Sequence, residues 1–186
     1  REEDFRLLQG RGRYLDDVSA MRQAHAVVLR SPVAHADITS MDVTAALASP
    51  GVLAVLTGDD LAARGLGTIG VLNPCNRMDG SPGFVRERPL MAQGRVRYVG
   101  EAMAFIVAET LNQAKDAAEL IVIDFDTLPV LASVDAALAD GAMALWDDNP
   151  GNEAYTFKRG DAAATDAAIS GAAHVVRHRG CVNRVA

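Results

Sequence analysis

The stretch Ala102-Met103-Ala104-Phe105-Ile106-Val107-Ala108-Glu109-Thr110-Leu111-Asn112-Gln113 decides how this chain is read. Apolar residues run unbroken from Ala102 to Ala108, the length of a buried strand and far short of the roughly twenty residues that cross a bilayer. Thr110 to Gln113 then form a T-x-x-Q capping box, worth about 1 kcal/mol to the helix it opens. Leu111, Ala114, Ala118 and Ile121 recur at helical spacing, so a helix over 111–120 is expected to follow the strand. Ile121 to Asp126 reads as extended chain again, and Pro129 breaks it.

Upstream, Arg22 to Arg30 is rich in Ala and Val and stops at Ser31-Pro32, as a strand closed by a turn. Ala34 to Met41 reads as a second strand, and Asp42 caps an Ala-rich helix ended by Pro50-Gly51. Val52 to Leu56 is a third strand, turned by Thr57-Gly58-Asp59 into a short helix near Asp60 to Arg64. Prolines and glycines crowd Leu72 to Gly94, so irregular surface chain is expected there, of the length that binds something. Val96 to Tyr98 resumes extended structure, which Gly100 interrupts. Downstream, Ser133 caps a helix through Ala139, Asp147 to Asn152 reads as a linker, and Tyr155 to Lys158 looks extended. Asp161 caps an Ala-rich helix to about Ser170, and Ala172 to Val185 looks like a strand leading outward. Helices and strands alternate in one α+β fold of mixed α/β order, short helices packing on a mixed sheet.

With 186 residues, 49% of them apolar and 23% charged, the chain can bury its own core and is neither disordered nor collagen-like. Its 18 basic and 24 acidic residues leave a net charge of −6, which argues against nucleic acid as a partner. Arg1 in place of Met and the apolar pattern of Cys181 to Ala186 lead us to expect a piece of a longer polypeptide without a secretory signal. No Asn opens an N-x-S/T acceptor, in keeping with a cytoplasmic setting.

Several motifs invite a chemical reading. Gly65-Leu66-Gly67-Thr68-Ile69-Gly70 matches G-x-G-x-x-G, whose phosphate-cradling glycines must follow a strand and open a helix. These follow a helix and lead into Val71-Leu72-Asn73-Pro74, so a flexible link is the better reading. Arg159-Gly160-Asp161 spells an adhesion tripeptide, but Asp161 is explained as a helix cap. His174 and His178 would share a face on a helix, whereas on the strand that Val175 and Val176 favour they stand about 13 Å apart and cannot share an ion. His25 and His35 have no ligand partners nearby in sequence, and Cys75 and Cys181 lack zinc-ligand spacing. Pro32 breaks the geometry that would join Ser31 to His35 as nucleophile and base. Asp16-Asp17, Asp59-Asp60 and Asp147-Asp148 sit at turns, where capping and solvation account for them. Arg77, Arg86, Arg88, Arg95 and Arg97 outnumber Asp79 and Glu87 in the irregular stretch. They make either a solvated loop or a surface that docks another domain or subunit. Glu101, at the edge of the buried strand, is the most tempting titratable position, and strand-end solvation or a salt bridge explains it equally. No catalytic, cofactor-binding or metal-ligating residue is assigned.

Several stretches taken together resemble a known family. They are Arg1-Glu2-Glu3-Asp4 through Gly10-Arg11-Gly12-Arg13-Tyr14-Leu15-Asp16-Asp17, Leu29-Arg30-Ser31-Pro32-Val33-Ala34-His35-Ala36, Pro50-Gly51-Val52 with Leu56-Thr57-Gly58-Asp59-Asp60-Leu61, Val96-Arg97-Tyr98-Val99-Gly100-Glu101-Ala102, Val107-Ala108-Glu109, Ala117-Ala118-Glu119-Leu120-Ile121 and Leu128-Pro129. In order and spacing they are similar to the opening of molybdenum hydroxylase large subunits, the family of xanthine dehydrogenase, aldehyde oxidase and aerobic carbon monoxide dehydrogenase. The resemblance implies an α/β hammerhead over residues 1–146, a linker over 147–158 and the truncated start of the molybdenum-cofactor-binding domain over 159–186. It implies a molybdopterin-type molybdenum cofactor in the full-length subunit, oxygen insertion from water into a C–H bond or oxidation of carbon monoxide, and electron transfer through [2Fe-2S] centres to FAD on partner subunits or domains. The family's cofactor loops and catalytic glutamate fall beyond Ala186, so the resemblance makes this segment a non-catalytic scaffold, inactive alone. It would contact the remainder of the large subunit and the iron-sulfur and FAD subunits in an oligomer. Two other readings stay open: a stand-alone interaction module of the same fold, and a nucleotide-binding enzyme built on Gly65 to Gly70.

Overall fold

The computed structural model describes residues 3–66, 68–178 and 180. In chain order the elements are α1 (Asp4–Leu8), a 3-10 turn (Leu15–Asp17), β1 (His25–Arg30), β2 (Ala36–Asp42), α2 (Thr44–Leu47), β3 (Val52–Thr57) and α3 (Gly58–Ala63). There follow β4 (Thr68–Ile69), β5 (Arg88–Pro89), β6 (Arg95–Val96), β7 (Ala102–Ala108), α4 (Leu111–Glu119), β8 (Val122–Thr127), α5 (Val134–Ala137) and α6 (Ala162–Ser170). They build two three-stranded sheets, β1-β7-β3 and β6-β2-β8, and a two-stranded ribbon of β4 and β5. The α+β class expected from the sequence holds. The sheets are not mixed, however: every pairing among the described strands is antiparallel. Alternating helices and strands do not by themselves force parallel ladders, because consecutive members of the two three-stranded sheets go to different sheets.

The unbroken apolar run is β7, the central strand of the first sheet, and both its faces are covered. Ala104, Ile106 and Ala108 join Ala114, Ala117 and Ala118 of α4, Ala46 of α2 and Val55 of β3 in one core. Met103 points into the other, with Ala36, Ala92 and Val96, flanked by Ile38, Ile123 and Phe125 of the second sheet. Successive side chains of a strand alternate faces, so this one strand serves both cores.

The α4 cap forms as the spacing requires, Thr110 Oγ1 accepting from Gln113 N at 3.3 Å. The buried face is Ala114, Ala117 and Ala118, while Leu111 is exposed. It differs from the expected stripe because methyl groups on both sides let the helix settle close to the sheet. Ser133 and Asp161 cap α5 and α6 as expected. Asp42 contributes through Thr44 N, which donates to its Oδ1 at 2.9 Å, although Val43 holds the cap position of α2. Extended structure was expected to resume at Val96, where β6 pairs with β2; the pairing of β4 with β5 had no sequence signal, because strands of two residues carry no periodicity. Residues 172–178 form no strand and are exposed; residues 179 and 181–186 lie outside the described residues.

Truncating Ile106, which is fully buried, to Ala should cost about 2–5 kcal/mol, and Thr110→Ala about 1 kcal/mol. Leu53→Ala, at a side chain largely in solvent, should stay within about 0.5 kcal/mol of wild type in the same urea titration.

Candidate functional site

Outside the two cores, charged and aromatic side chains converge where residues 84–101 meet residues 145–152. Arg95 on β6 faces Asp37, its register partner on β2, and grips it with Nε at 2.5 Å from Oδ1 and Nη2 at 3.3 Å from Oδ2. Its Nη1 reaches Asp147 at 3.2 Å. The hydrogen bond from Arg95 is the main cause that lowers the Asp37 carboxyl below the usual carboxylate range. Arg97, two residues on, donates from Nε to Leu145 O (3.1 Å) and from Nη1 to Arg95 O (3.3 Å). Its guanidinium carbon stands 3.6 Å from the centroid of the Trp146 ring. Arg86 lies over the same ring at 4.8 Å and pairs with Asp148 at 2.7 Å. Cation–π contacts of this kind contribute about 0.5–2 kcal/mol, more when water is excluded.

Backbone chemistry holds the pieces in place. Asn152 donates to Ala137 O (3.0 Å) and Met143 O (2.9 Å) and accepts from Leu145 N (2.8 Å), which fixes the turn carrying Trp146. Gly83 runs so close to residues 75 and 154 that a Cβ there would overlap Cys75 O and come within 2.9 Å of Ala154 O. Phe84 N donates to that Ala154 oxygen at 2.7 Å. On the inner side, Glu101 immediately precedes β7 and is 7% exposed. Its Oε2 accepts from Arg97 N at 2.5 Å, across a turn that Gly100 allows with φ +89°. Burial is the leading cause that pushes the Glu101 carboxyl above its ordinary value, with the Arg97 N–H and the Arg97 charge opposing it. Burial likewise holds the Arg97 guanidinium below the usual arginine range.

Between these groups lies a cleft of about 310 Å³, walled by Phe84, Arg86, Arg88, Arg97, Tyr98 and Trp146, with Glu101 also on its lining. Among the described residues Arg88 has no ion-pair partner. The arrangement suits a carboxylate or phosphate set against an aromatic wall.

The sequence family described as "Aldehyde oxidase and xanthine dehydrogenase, a/b hammerhead domain" matches residues 9–129. The chain belongs to this family. The chain is 37% identical over 180 residues to the nicotine 6-hydroxylase large subunit of Paenarthrobacter nicotinovorans, covering 95% of this chain and 21% of that protein. Among solved structures, quinoline 2-oxidoreductase from Pseudomonas putida 86 superposes with a TM-score of 0.65 at 40% identity, over 74% of this chain and 17% of that one. Reconstituted CO dehydrogenase from Oligotropha carboxidovorans does so with a TM-score of 0.77 at 32% identity, over 94% and 22%. The chain therefore spans about a fifth of the length of the curated relatives it matches.

The hammerhead structure scatters the other residues singled out in the sequence. Gly65 to Gly70 follow α3 and contain β4, and no helix begins directly after them, so the phosphate-binding context is missing; Gly67 itself lies outside the described residues. Ser31 Oγ is engaged by its own turn, donating to Val33 O at 2.7 Å, and His35 Nδ1 sits 2.8 Å from Pro129 O. Both are buried and neither hydrogen-bonds the other. Asp17 accepts from Tyr14 N and Asp60 from Thr57 N, so these pairs do cap turns as expected. Asp147 and Asp148 do more than face solvent, since each meets an arginine. His174 and His178 lie on exposed irregular chain, Cys75 is a half-exposed free thiol, and Cys181 falls outside the described residues. The arginines of the irregular stretch separate: Arg86, Arg88 and Arg97 line the cleft, Arg95 is taken by Asp37, and Arg77 lies in a different depression beside Cys75. Sequence reading passed over Trp146. The available signal was a single tryptophan directly before two aspartates in a chain whose arginines cluster elsewhere.

A raised carboxyl binds its proton more tightly in the folded than in the unfolded chain, so Glu101 favours folding at low pH. That contribution is lost as pH rises through its folded titration range. Asp37, with a lowered pKa, has the opposite sign: its contribution is present above the unfolded carboxylate value and lost as pH falls through the folded one. Glu101→Gln, which keeps an acceptor for Arg97 N without a charge, should flatten the decline in stability as pH rises past the ordinary carboxyl value, read from melts between pH 4 and 8. Asp37→Asn should flatten the acid limb instead.

Proposed function

We propose that this chain is the scaffold portion of the large subunit of a molybdenum-dependent hydroxylase or dehydrogenase. The observation that carries the reading is the 37% identity, over 95% of the chain, to a hydroxylase large subunit of which it spans only 21%. On this reading the whole protein inserts oxygen from water into an aldehyde or N-heterocycle, or oxidises carbon monoxide, and passes electrons through [2Fe-2S] centres to FAD on partner subunits or domains. A molybdopterin-bound molybdenum would supply the oxidising centre. Residues 1–146 form the hammerhead, 147–158 a linker fastened at its start by Asp147, Asp148 and Asn152, and 159–186 the opening of the cofactor-binding domain. Catalytic, cofactor-binding and metal-ligating residues are assigned to other parts of the protein, and a cytoplasmic setting belongs to the same reading. Among the described residues no helix is long and apolar enough to cross a membrane.

The full-length protein, purified with its subunits, should carry molybdenum by elemental analysis and reduce an artificial electron acceptor on oxidising an aldehyde, an N-heterocycle or carbon monoxide. Residues 1–186 produced alone should do neither. Full-length protein free of molybdenum under conditions that load known molybdenum enzymes would favour an interaction module of the same fold, and turnover by residues 1–186 alone would place the chemistry inside them.

A further inference from the structure

We infer that the cleft between Arg88, Arg97 and Trp146 is a docking site for an acidic, aromatic-tolerant segment of another subunit, whose carboxylate is received by Arg88. The inference rests on the large-subunit reading and goes beyond it by naming the site and the chemistry of its partner.

Charge carries the first part of the argument. The chain has a net charge of −6, yet this cleft is lined by three guanidiniums against the single carboxylate of Glu101. Two of the three are committed: Arg86 to Asp148, and Arg97 to the carbonyls of Leu145 and Arg95. Arg88 is left with its fork open, held in place on β5 by the pairing of Ile69 with Arg88 and of Thr68 with Pro89. A guanidinium fixed by its backbone and free at its head matches a carboxylate with two parallel hydrogen bonds.

Geometry carries the second part. The walls are aromatic and half in solvent: Tyr98 is 57% exposed, and Trp146 is stacked under Arg97. Arginine, tryptophan and tyrosine at the centre of a concave patch are the residue types that dominate binding energy at protein interfaces. The cleft of about 310 Å³ holds one or two side chains, not a folded element. The relatives whose names describe a large subunit or a large chain belong to assemblies of several chains, so another subunit is the occupant that the site is argued to receive. Glu101 sharpens the selection: a second acidic group pushed deep beside it would be repelled, so the partner's carboxylate belongs at the Arg88 end.

The test uses the full-length subunit and its partner subunits, with assembly followed by sedimentation at several salt concentrations. Arg88→Glu should weaken assembly at least tenfold at low salt and reduce its salt dependence, while Arg88→Lys, which keeps the charge and loses the fork, should weaken it less. Lys115→Glu makes the same change in net charge on the exposed side of α4 and should leave assembly as it was. If Arg88→Glu and Lys115→Glu behave alike, the docking inference fails. It also fails if Arg88→Glu leaves assembly intact and lowers the Tm of the lone full-length subunit, since the subunit's own later residues would then fill the cleft. Molybdenum content, measured on the same samples, separates the two levels: metal present with unaltered assembly overturns the docking site alone, and metal absent from the wild type overturns the large-subunit reading.

Discussion

Burial of β7 on both faces is the constraint from which the rest of the domain follows. A strand flanked by β1 and β3, with α4 against one side and the second sheet reached from the other, fully buries Met103, Ala104, Ile106 and Ala108, where a polar side chain would be costly, and half-buries Phe105 and Val107. That requirement explains the uninterrupted apolar run. It also explains why the two sheets stay in fixed relation, since Met103 belongs to the second core while its neighbours Ala104 and Ile106 belong to the first. Neither core is large, and sharing one strand lets each lend order to the other.

The arginine and tryptophan cluster is a dependent structure. Glu101 sits at the head of β7, where its backbone is already committed: Ser31 N donates to Glu101 O and Gly100 N to Ser31 O, both at 2.8 Å. The turn from Arg97 to Glu101 is thereby tied to the β1–β2 connection, and the Arg97 side chain is aimed outward at Trp146. Arg95 anchors the other side through Asp37 in the second sheet. Both sheets thus contribute to the placement of one half-buried guanidinium, which is how a site on irregular chain acquires the definition of one built on strands.

What was legible in the sequence was whatever repeats or caps. The β7 run, the Thr110 cap, the Ser133 and Asp161 caps and the turn at Pro50-Gly51 each rest on contacts within a few residues, and these elements appear close to where the pattern puts them. Family membership was legible too, because it depends on many short stretches in order. The cleft was not. Arg97 and Trp146 are 49 positions apart and Arg86 and Asp148 are 62 apart, and no local rule joins residues at such separations. The arginine excess was visible as composition, yet which arginines are spent on partners and which is left open is decided by two-residue strands that leave no periodic trace. His35 shows the same limit: nothing in its neighbourhood of sequence announces Pro129 as its partner, nor that its Nε2 is buried without one among the described residues.

The core between α4 and β7 is mostly methyl groups, Ala114, Ala117 and Ala118 clustering with Ala104 and Ala108, with Ile106 the large side chain on that face of β7. At those five alanine positions a larger side chain would have to displace its packed neighbours. Each added carbon would lift the helix off the sheet like a shim under a hinge plate, at a cost of about 1–3 kcal/mol. Larger side chains at those five positions are therefore costly, whereas the exposed positions Leu111, Lys115 and Glu119 can change without disturbing the joint.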